Sequence, residues 1–347
     1  MRVLVTGHDG YIGALLVPLL HAAGHEVVGL DTFYFEDGSF NNAQAAHPDL
    51  PTLRKDLRDL TVDDLRGFDA VAHLAALSND PMGNMNADWT YDINHAASVR
   101  LAELAKAAGV SRYAYSSSCS MYGIAGDDFL TEDAPQNPVT AYAVSKVRTE
   151  EDVRPMADDD FSPVFLRNAT AYGASPRLRV DLVLNNLVGW GYTTGKIRIM
   201  SDGTPWRPLV HAEDIARAFV AVFSAPRERI HNEAFNVGVT AHNYRIRELA
   251  DIVKEVIPGC EVEYAPQPEA DSRTYRVSFE KIARVLGDVF QPQWDARRGA
   301  EQLYAAYQAA GLTFEDFQSR RYIRLKQLQY LMDNDRLDST LRWKDKA

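Results

Sequence analysis

The sequence predicts an α/β chain built on a doubly wound parallel sheet, with a smaller, discontinuous C-terminal region that covers the substrate. Three observations predict it. Short apolar runs alternate with amphipathic helical stretches through the first half, the pattern that buries both faces of a parallel sheet. A glycine-rich turn joins the first such run to the first helical stretch. After Gly173 the alternation gives way to Pro-, Gly- and Arg-containing stretches at 174–180 and 201–208.

Strands are expected at 2–6, 26–30, 52–55, 70–74, 113–118 and 164–167. Helices are expected at 11–23, 61–65, 94–108 and 141–153, and again at 213–224. Residues 1–173 therefore read as one parallel-sheet unit, to which 209–238 returns. Residues 174–208 and 239–347 read as the substrate-binding region. It ends in a charged tail, 314–343, whose Leu325, Leu328 and Leu331 recur at helical spacing. That spacing calls for a partner surface, on the body or on another subunit.

Composition narrows the classes of partner. The chain has 347 residues, 46% of them hydrophobic, enough for a large core. Its formal net charge of −11 repels phosphate backbones and anionic membranes, so neither nucleic acid nor membrane is an expected partner. Cys119 and Cys260 are its two cysteines, too few for a disulfide framework. The histidines show no metal-ligand spacing, and no metal is expected. The N-terminus has no secretory signal pattern, and no apolar run reaches the roughly 20 residues that span a bilayer. A cytoplasmic protein is expected.

Val3-Leu4-Val5-Thr6-Gly7-His8-Asp9-Gly10-Tyr11-Ile12-Gly13 places three glycines three residues apart, after a strand and before a helix. Gly7 suits the tight turn, Gly10 the close approach of a pyrophosphate, and Gly13 the packing of helix on sheet. The helix N-terminus then faces the phosphates, with Tyr11 and Ile12 among the cofactor contacts. Asp31 ends the second strand, where a carboxylate accepts hydrogen bonds from the adenosine ribose. A 2′-phosphate there meets like charge, so the cofactor expected is NAD. Asp56 and Leu57 are expected to flank the adenine.

Tyr142 and Lys146 stand four residues apart on a predicted helix, hence on one face and one turn apart. A phenol near pKa ~10 is a poor base at neutral pH, and a neighbouring ammonium favours its ionised form. Such pairs are common on helix surfaces by chance. The run Tyr115-Ser116-Ser117-Ser118-Cys119-Ser120 gives this one a context, because it brings hydroxyls to the carboxyl edge of the sheet, where ligands of open parallel sheets bind.

With those pieces in place, the chain resembles the extended short-chain dehydrogenase/reductase superfamily, particularly its NAD-dependent nucleotide-sugar epimerases and dehydratases. The likeness takes in the glycine turn, Asp31, His73-Leu74-Ala75-Ala76, Asn94, Tyr142 with Lys146, 167–173, Asn185-Asn186-Leu187, 207–214 and 235–238. It implies a Rossmann fold and a homodimer. It also implies cofactor contacts at Leu74, Ala75, Ala76, Asn94, Tyr142 and Lys146, and a Ser118 that hydrogen-bonds the reacting hydroxyl.

The neighbours of Ser118 discriminate among reactions. Sugar-nucleotide 4,6-dehydratases of this type carry Asp and Glu where this chain has Cys119 and Ser120, because elimination of water needs a general acid and base. The expected reaction is therefore epimerisation, at C4 through a transient ketone. Ser118, Cys119, Ser120, Tyr142 and Lys146 are the catalytic candidates. For Cys119 a packing role ranks ahead of proton donation, since free cysteine behaves as a small buried hydrophobe. A nucleotide-sugar ketoreductase or dehydrogenase needs the same Ser-Tyr-Lys set and stays open beside the epimerase, as does dehydration. A binding protein that only senses NAD needs no activated tyrosine. The resemblance implies a nucleotide-diphosphate sugar as substrate, with Thr170, Asn186, Arg207 and Arg273 at its site; Arg177 and Arg179 lie in the variable substrate segment.

Overall fold

The computed structural model describes residues 1–40, 46–78, 85–124, 128–265 and 274–344. Seven parallel strands form its main sheet. They are β1 (Arg2–Thr6), β2 (Glu26–Asp31), β3 (Thr52–Arg54), β4 (Ala70–His73), β5 (Arg112–Ser118), β6 (Ser162–Asn168) and β7 (Glu233–Val237). Their order across the sheet is 3-2-1-4-5-6-7. The chain thus leaves β1 in one direction and returns beside it as β4, in register from Val3 opposite Ala70 to Thr6 opposite His73. A crevice opens at the carboxyl ends where that direction reverses.

Alternation along β1 explains why the sheet is covered on both sides. Val3 and Val5 join one core cluster, with Leu16, Val17, Leu20 and Phe219; Leu4 joins another, with Leu101, Ala102 and Ala105. Burying each of these valine, leucine and phenylalanine side chains stabilises the fold by about 1.5–3 kcal/mol. The helices that supply these surfaces are α1 (Gly13–Ala22), α2 (Ala97–Ala107), α3 (Ala141–Val153) and α5 (Ala212–Ser224), while α4 (Val183–Thr194), α6 (Ile246–Val256), α7 (Ala296–Ala310) and α8 (Arg324–Asp333) pack in other clusters.

Two expected helices differ. The stretch at 61–65 is a single 3-10 turn, Val62–Leu65, because Asp64 caps the N–H of Thr61 at 2.7 Å and only Leu65 has a core to enter. The stretch at 94–108 is α2 preceded by a wider π-type turn, Tyr91–Ala96. Within that turn Asn94 points at the backbone of Leu77, accepting its N–H at 2.7 Å and donating to its carbonyl at 2.9 Å.

The second region is more regular than the sequence suggests. Leu184, Leu187 and Val188 of α4, Leu249 and Val253 of α6, and Ala300 and Leu303 of α7 make their own core. A three-stranded sheet adjoins it, with Trp206–His211 between Thr170–Tyr172 and Asn243–Arg245. The tail docks on the first half: Leu328, Leu331, Leu337 and Leu341 bury themselves with Tyr34, Leu77 and Ile93.

Candidate active site

One cavity of about 960 Å³ runs along the carboxyl edge of the sheet, from the glycine turn to Arg207. Gly7, Gly10, Tyr11, Ile12, Gly13, Asp31, Asp56, Leu57, Leu74, Ala75 and Ala76 line one part of it. Ser118, Ser120, Tyr142, Lys146, Thr170, Asn186 and Arg207 line the rest.

At Gly7 and Gly13 the turn has no room for a side chain. Gly7 has φ +72°, and a Cβ on it would lie 2.9 Å from the backbone nitrogen of Ala75. A Cβ on Gly13 would lie 2.2 Å from the carbonyl oxygen of Gly7, so the first turn of α1 packs directly on the loop. Asp9, inside the turn, forms a buried pair with Arg177 at 2.6 Å, and Arg177 also donates to the carbonyls of Asp9 and Glu36. Arg177 is thereby a strut between the turn and the segment after Gly173.

Asp31 sits at the tip of β2. Its carboxylate accepts the N–H groups of Phe33 at 2.9 Å and Asp9 at 3.2 Å, and burial raises its pKa. Asp56 caps the next turn through the N–H of Arg58 and is paired with that guanidinium at 2.7 Å. A dinucleotide fits this half of the cavity: a narrow glycine cradle lines it together with the Asp31 carboxylate at the strand edge.

At the other end, Thr140 caps α3 by accepting the N–H of Ala143 at 3.1 Å. The cap starts the helix at Ala141 and sets Tyr142 in its first turn, with Lys146 one turn on. Lys146 is buried, and its Nζ donates to the carbonyl of Ser116 at 2.7 Å. The same nitrogen lies 4.6 Å from the ring centre of Tyr115 and 5.5 Å from that of Tyr142. Burial lowers its pKa to about 7, against an opposing pull from Glu150. Ser118 ends β5, and its Oγ accepts the N–H of Ser120 at 3.2 Å. Ser120 Oγ and Asn168 Oδ1, both at the cavity, are buried without a partner among the described residues. Two orphaned polar atoms in the cavity that Lys146 also lines suit a polar ligand.

Towards the second region, Thr170 pairs in register with Leu209, two residues along the strand from Arg207, and both Thr170 and Arg207 line the cavity. Asn186 Nδ2 donates to the carbonyl of Val180 at 3.0 Å. Arg179 also lines the cavity, held by Asp181 at 2.8 Å and by Ser78 Oγ at 3.0 Å.

Three candidates stand apart from this arrangement. Asn94 is fully buried and spends its amide on Leu77, so it shapes the loop that lines the cavity without lining it. Cys119 is fully buried in the core, donates to the carbonyl of Arg167 at 3.1 Å, and burial raises its pKa. A thiol so placed packs; it has no access to a reacting carbon. Arg273 lies outside the described residues. Conversely, sequence reasoning passed over Asp181, Tyr34 and Arg324, all of which line the cavity. Arg324 begins the leucine-spaced helix, but nothing local tells where that helix docks.

A model of the NAD dependent epimerase/dehydratase family matches residues 3–238. The UDP-glucose 4-epimerase of Mycolicibacterium smegmatis is 32% identical over 308 residues, which cover 84% of this chain and 94% of that protein. The UDP-glucose 4-epimerase of Corynebacterium glutamicum is 29% identical over 333 residues, covering 90% and 97%. Among solved structures, MoeE5 in complex with UDP-glucuronic acid and NAD superposes with a TM-score of 0.77 at 28% identity, covering 89% of this chain and all of that one.

Proposed function

This chain belongs to the NAD dependent epimerase/dehydratase family, and from that footing we propose that it is an NAD-dependent nucleotide-sugar epimerase working at C4 of a UDP-sugar. The observation that carries the reading is the meeting of Ser118, Tyr142 and Lys146 with the glycine turn and Asp31 in one cavity. Cys119, at the position where a dehydratase of this type carries a carboxylate, is sealed in the core. The names of the two relatives, both UDP-glucose 4-epimerases, support C4 and a UDP-sugar.

In the proposed reaction Tyr142 takes the proton of the sugar hydroxyl. Ser118 hydrogen-bonds that hydroxyl and keeps it aimed at Tyr142. Lys146 in its charged form lowers the free energy of the Tyr142 phenolate, and a pKa near 7 lets it take up and release a proton cheaply at neutral pH. When bound, NAD supplies reversible hydride acceptance at the carbinol carbon and so is restored in every turnover. The ketosugar turns its other face before Tyr142 returns the proton. Thr170, Asn186, Arg207 and Arg273 hold the nucleotide sugar, the arginines through charge-assisted bonds to its diphosphate. The protein works as a cytoplasmic homodimer paired through α2 and α3, with light scattering as the check.

The test is to incubate the purified protein with UDP-glucose, UDP-galactose and other UDP-sugars without added NAD, following the products by NMR. Interconversion of C4 epimers is expected. Stoichiometric NADH with an oxidised sugar would overturn epimerisation in favour of a dehydrogenase.

A further inference from the structure

The C-terminal tail carries a cation into the cofactor cavity. Arg324 opens α8, a helix of ten residues, and lines the cavity with its neighbours Ile323 and Leu325. It is 5% exposed and makes no hydrogen bond or ion pair with any described residue. The ring of Phe35 lies 4.0 Å from its guanidinium carbon.

The other cations nearby are already matched. Arg177 is held by Asp9 and Arg179 by Asp181. Burial, with the positive potential of Arg179 and Arg177 and against the opposing pull of Asp181 and Asp31, depresses the pKa of Arg324 to about 9. A buried guanidinium without an anion is a costly arrangement, and it becomes favourable once a phosphate supplies the missing charge. The unsatisfied N–H groups at the start of α8 add to the same potential.

The tail is anchored against the segment that follows β2. Gln327 donates to the carbonyl of Tyr34 at 3.1 Å, Arg321 to that of Ser39 at 2.7 Å, and Trp343 to that of Thr32 at 2.7 Å. The hydroxyl of Tyr34 donates in turn to the carbonyl of Leu341. These bonds hold Arg324 on the Asp31 side of the cavity, where the glycine turn also lies.

We propose that Arg324 binds the pyrophosphate of the dinucleotide, which makes the C-terminal helix a built-in part of the cofactor site. The proposal rests on the reading of this cavity as the NAD site. Arg324→Met and Arg324→Lys, each depleted of NAD, are titrated by calorimetry with NAD, ADP, adenosine and UDP. The Met variant is expected to lose at least tenfold in affinity for NAD and ADP, which carry a diphosphate on adenosine. Its affinities for adenosine and UDP should be unchanged, and the Lys variant should fall between. Without ligand the Met variant should melt no lower than the parent, because the substitution removes an uncompensated buried charge. Unchanged ADP affinity overturns the proposal, as does a loss for UDP alone, which would place Arg324 on the substrate diphosphate. An equal loss for adenosine means a collapsed pocket and overturns it too. A parent chain that binds neither NAD nor ADP would bring down the NAD site itself, a failure distinct from the others.

Discussion

Lys146 lies one helical turn below Tyr142, its ammonium nitrogen 5.5 Å from the centre of the Tyr142 ring and tied to the carbonyl of Ser116 at 2.7 Å. The two side chains share one wall of the cavity because Thr140 starts α3 where it does. Removing the phenol oxygen separates chemistry from binding. Tyr142→Phe is expected to lower kcat by about 10²–10⁴-fold. NAD content per chain should stay at the parental value, and retained turnover would remove Tyr142 from its proposed role.

Burial of Lys146 has a signature in stability. Its folded-state pKa, about 7, lies below the ordinary lysine value of 10.5. Between those values the unfolded chain binds a proton that the folded chain does not, so this group makes stability rise as pH rises through the window. Lys146→Met should flatten the dependence of unfolding free energy on pH between 7.5 and 9.5 by up to about 1.4 kcal/mol per pH unit. Urea titrations across that range read the slope.

His73 acts in the acid range. It is buried between Thr6 Oγ1 at 2.7 Å and Ser98 Oγ at 2.8 Å, and burial, helped by the charge of Lys146, lowers its pKa to about 3. With the folded-state value below the usual 6.5, its contribution to stability is intact above pH 6.5 and is lost as pH falls towards 3. His73→Gln should lower stability at pH 7 by about 1–3 kcal/mol through lost hydrogen bonds. It should also make the fall between pH 6 and 4 shallower by roughly one proton. A slope equal to the parental one would mean that His73 is charged in the folded chain.

Further along α3 from Tyr142 and Lys146, Glu150 pairs with Arg167 at 2.7 Å and accepts the hydroxyl of Ser117 at 2.6 Å, all three being buried. Glu150→Ala strands the guanidinium in the core and should cost about 3–5 kcal/mol in chemical denaturation. Combining it with Arg167→Met removes the stranded charge, so the double variant should be more stable than Glu150→Ala alone. Equal or additive losses would show that the pair is not energetically coupled.

Gly13→Ala sets a Cβ against two stretches of backbone, 2.2 Å from the carbonyl oxygen of Gly7 and 2.6 Å from the Cα of His8. Neither can rotate away as a side chain would. Loss of bound NAD and a lower melting temperature are expected, and wild-type NAD content would mean the turn has slack that its geometry does not show.

Much of the sheet is legible because its signals are local. The unbroken apolar run Val3-Leu4-Val5 announces a strand buried on both faces, and the glycine spacing announces the turn that follows. The structure adds a residue or two at strand ends, as at Arg112 and at Ser162, where pairing with a neighbour extends a strand beyond its own pattern. Helices α4 and α7 are harder to read, because glycines interrupt their apolar faces, and the core that they share with the strongly amphipathic α6 exists only once the three meet.

The same division runs through the site. By itself the sequence determined the order of strands and helices in the first half, the glycine turn, the carboxylate at Asp31 and the pairing of Tyr142 with Lys146, since each depends on neighbours a few residues apart in the chain. Tertiary structure alone decided that Cys119 is sealed away, that Asn94 turns to Leu77, that Arg177 braces Asp9, and that Arg324 reaches the cofactor cavity. Those outcomes join residues from 17 to nearly 300 positions apart, as in the bonds of Asn94 to Leu77 and of Gln327 to Tyr34. They follow from which surfaces are left to bury, a quantity no local pattern carries.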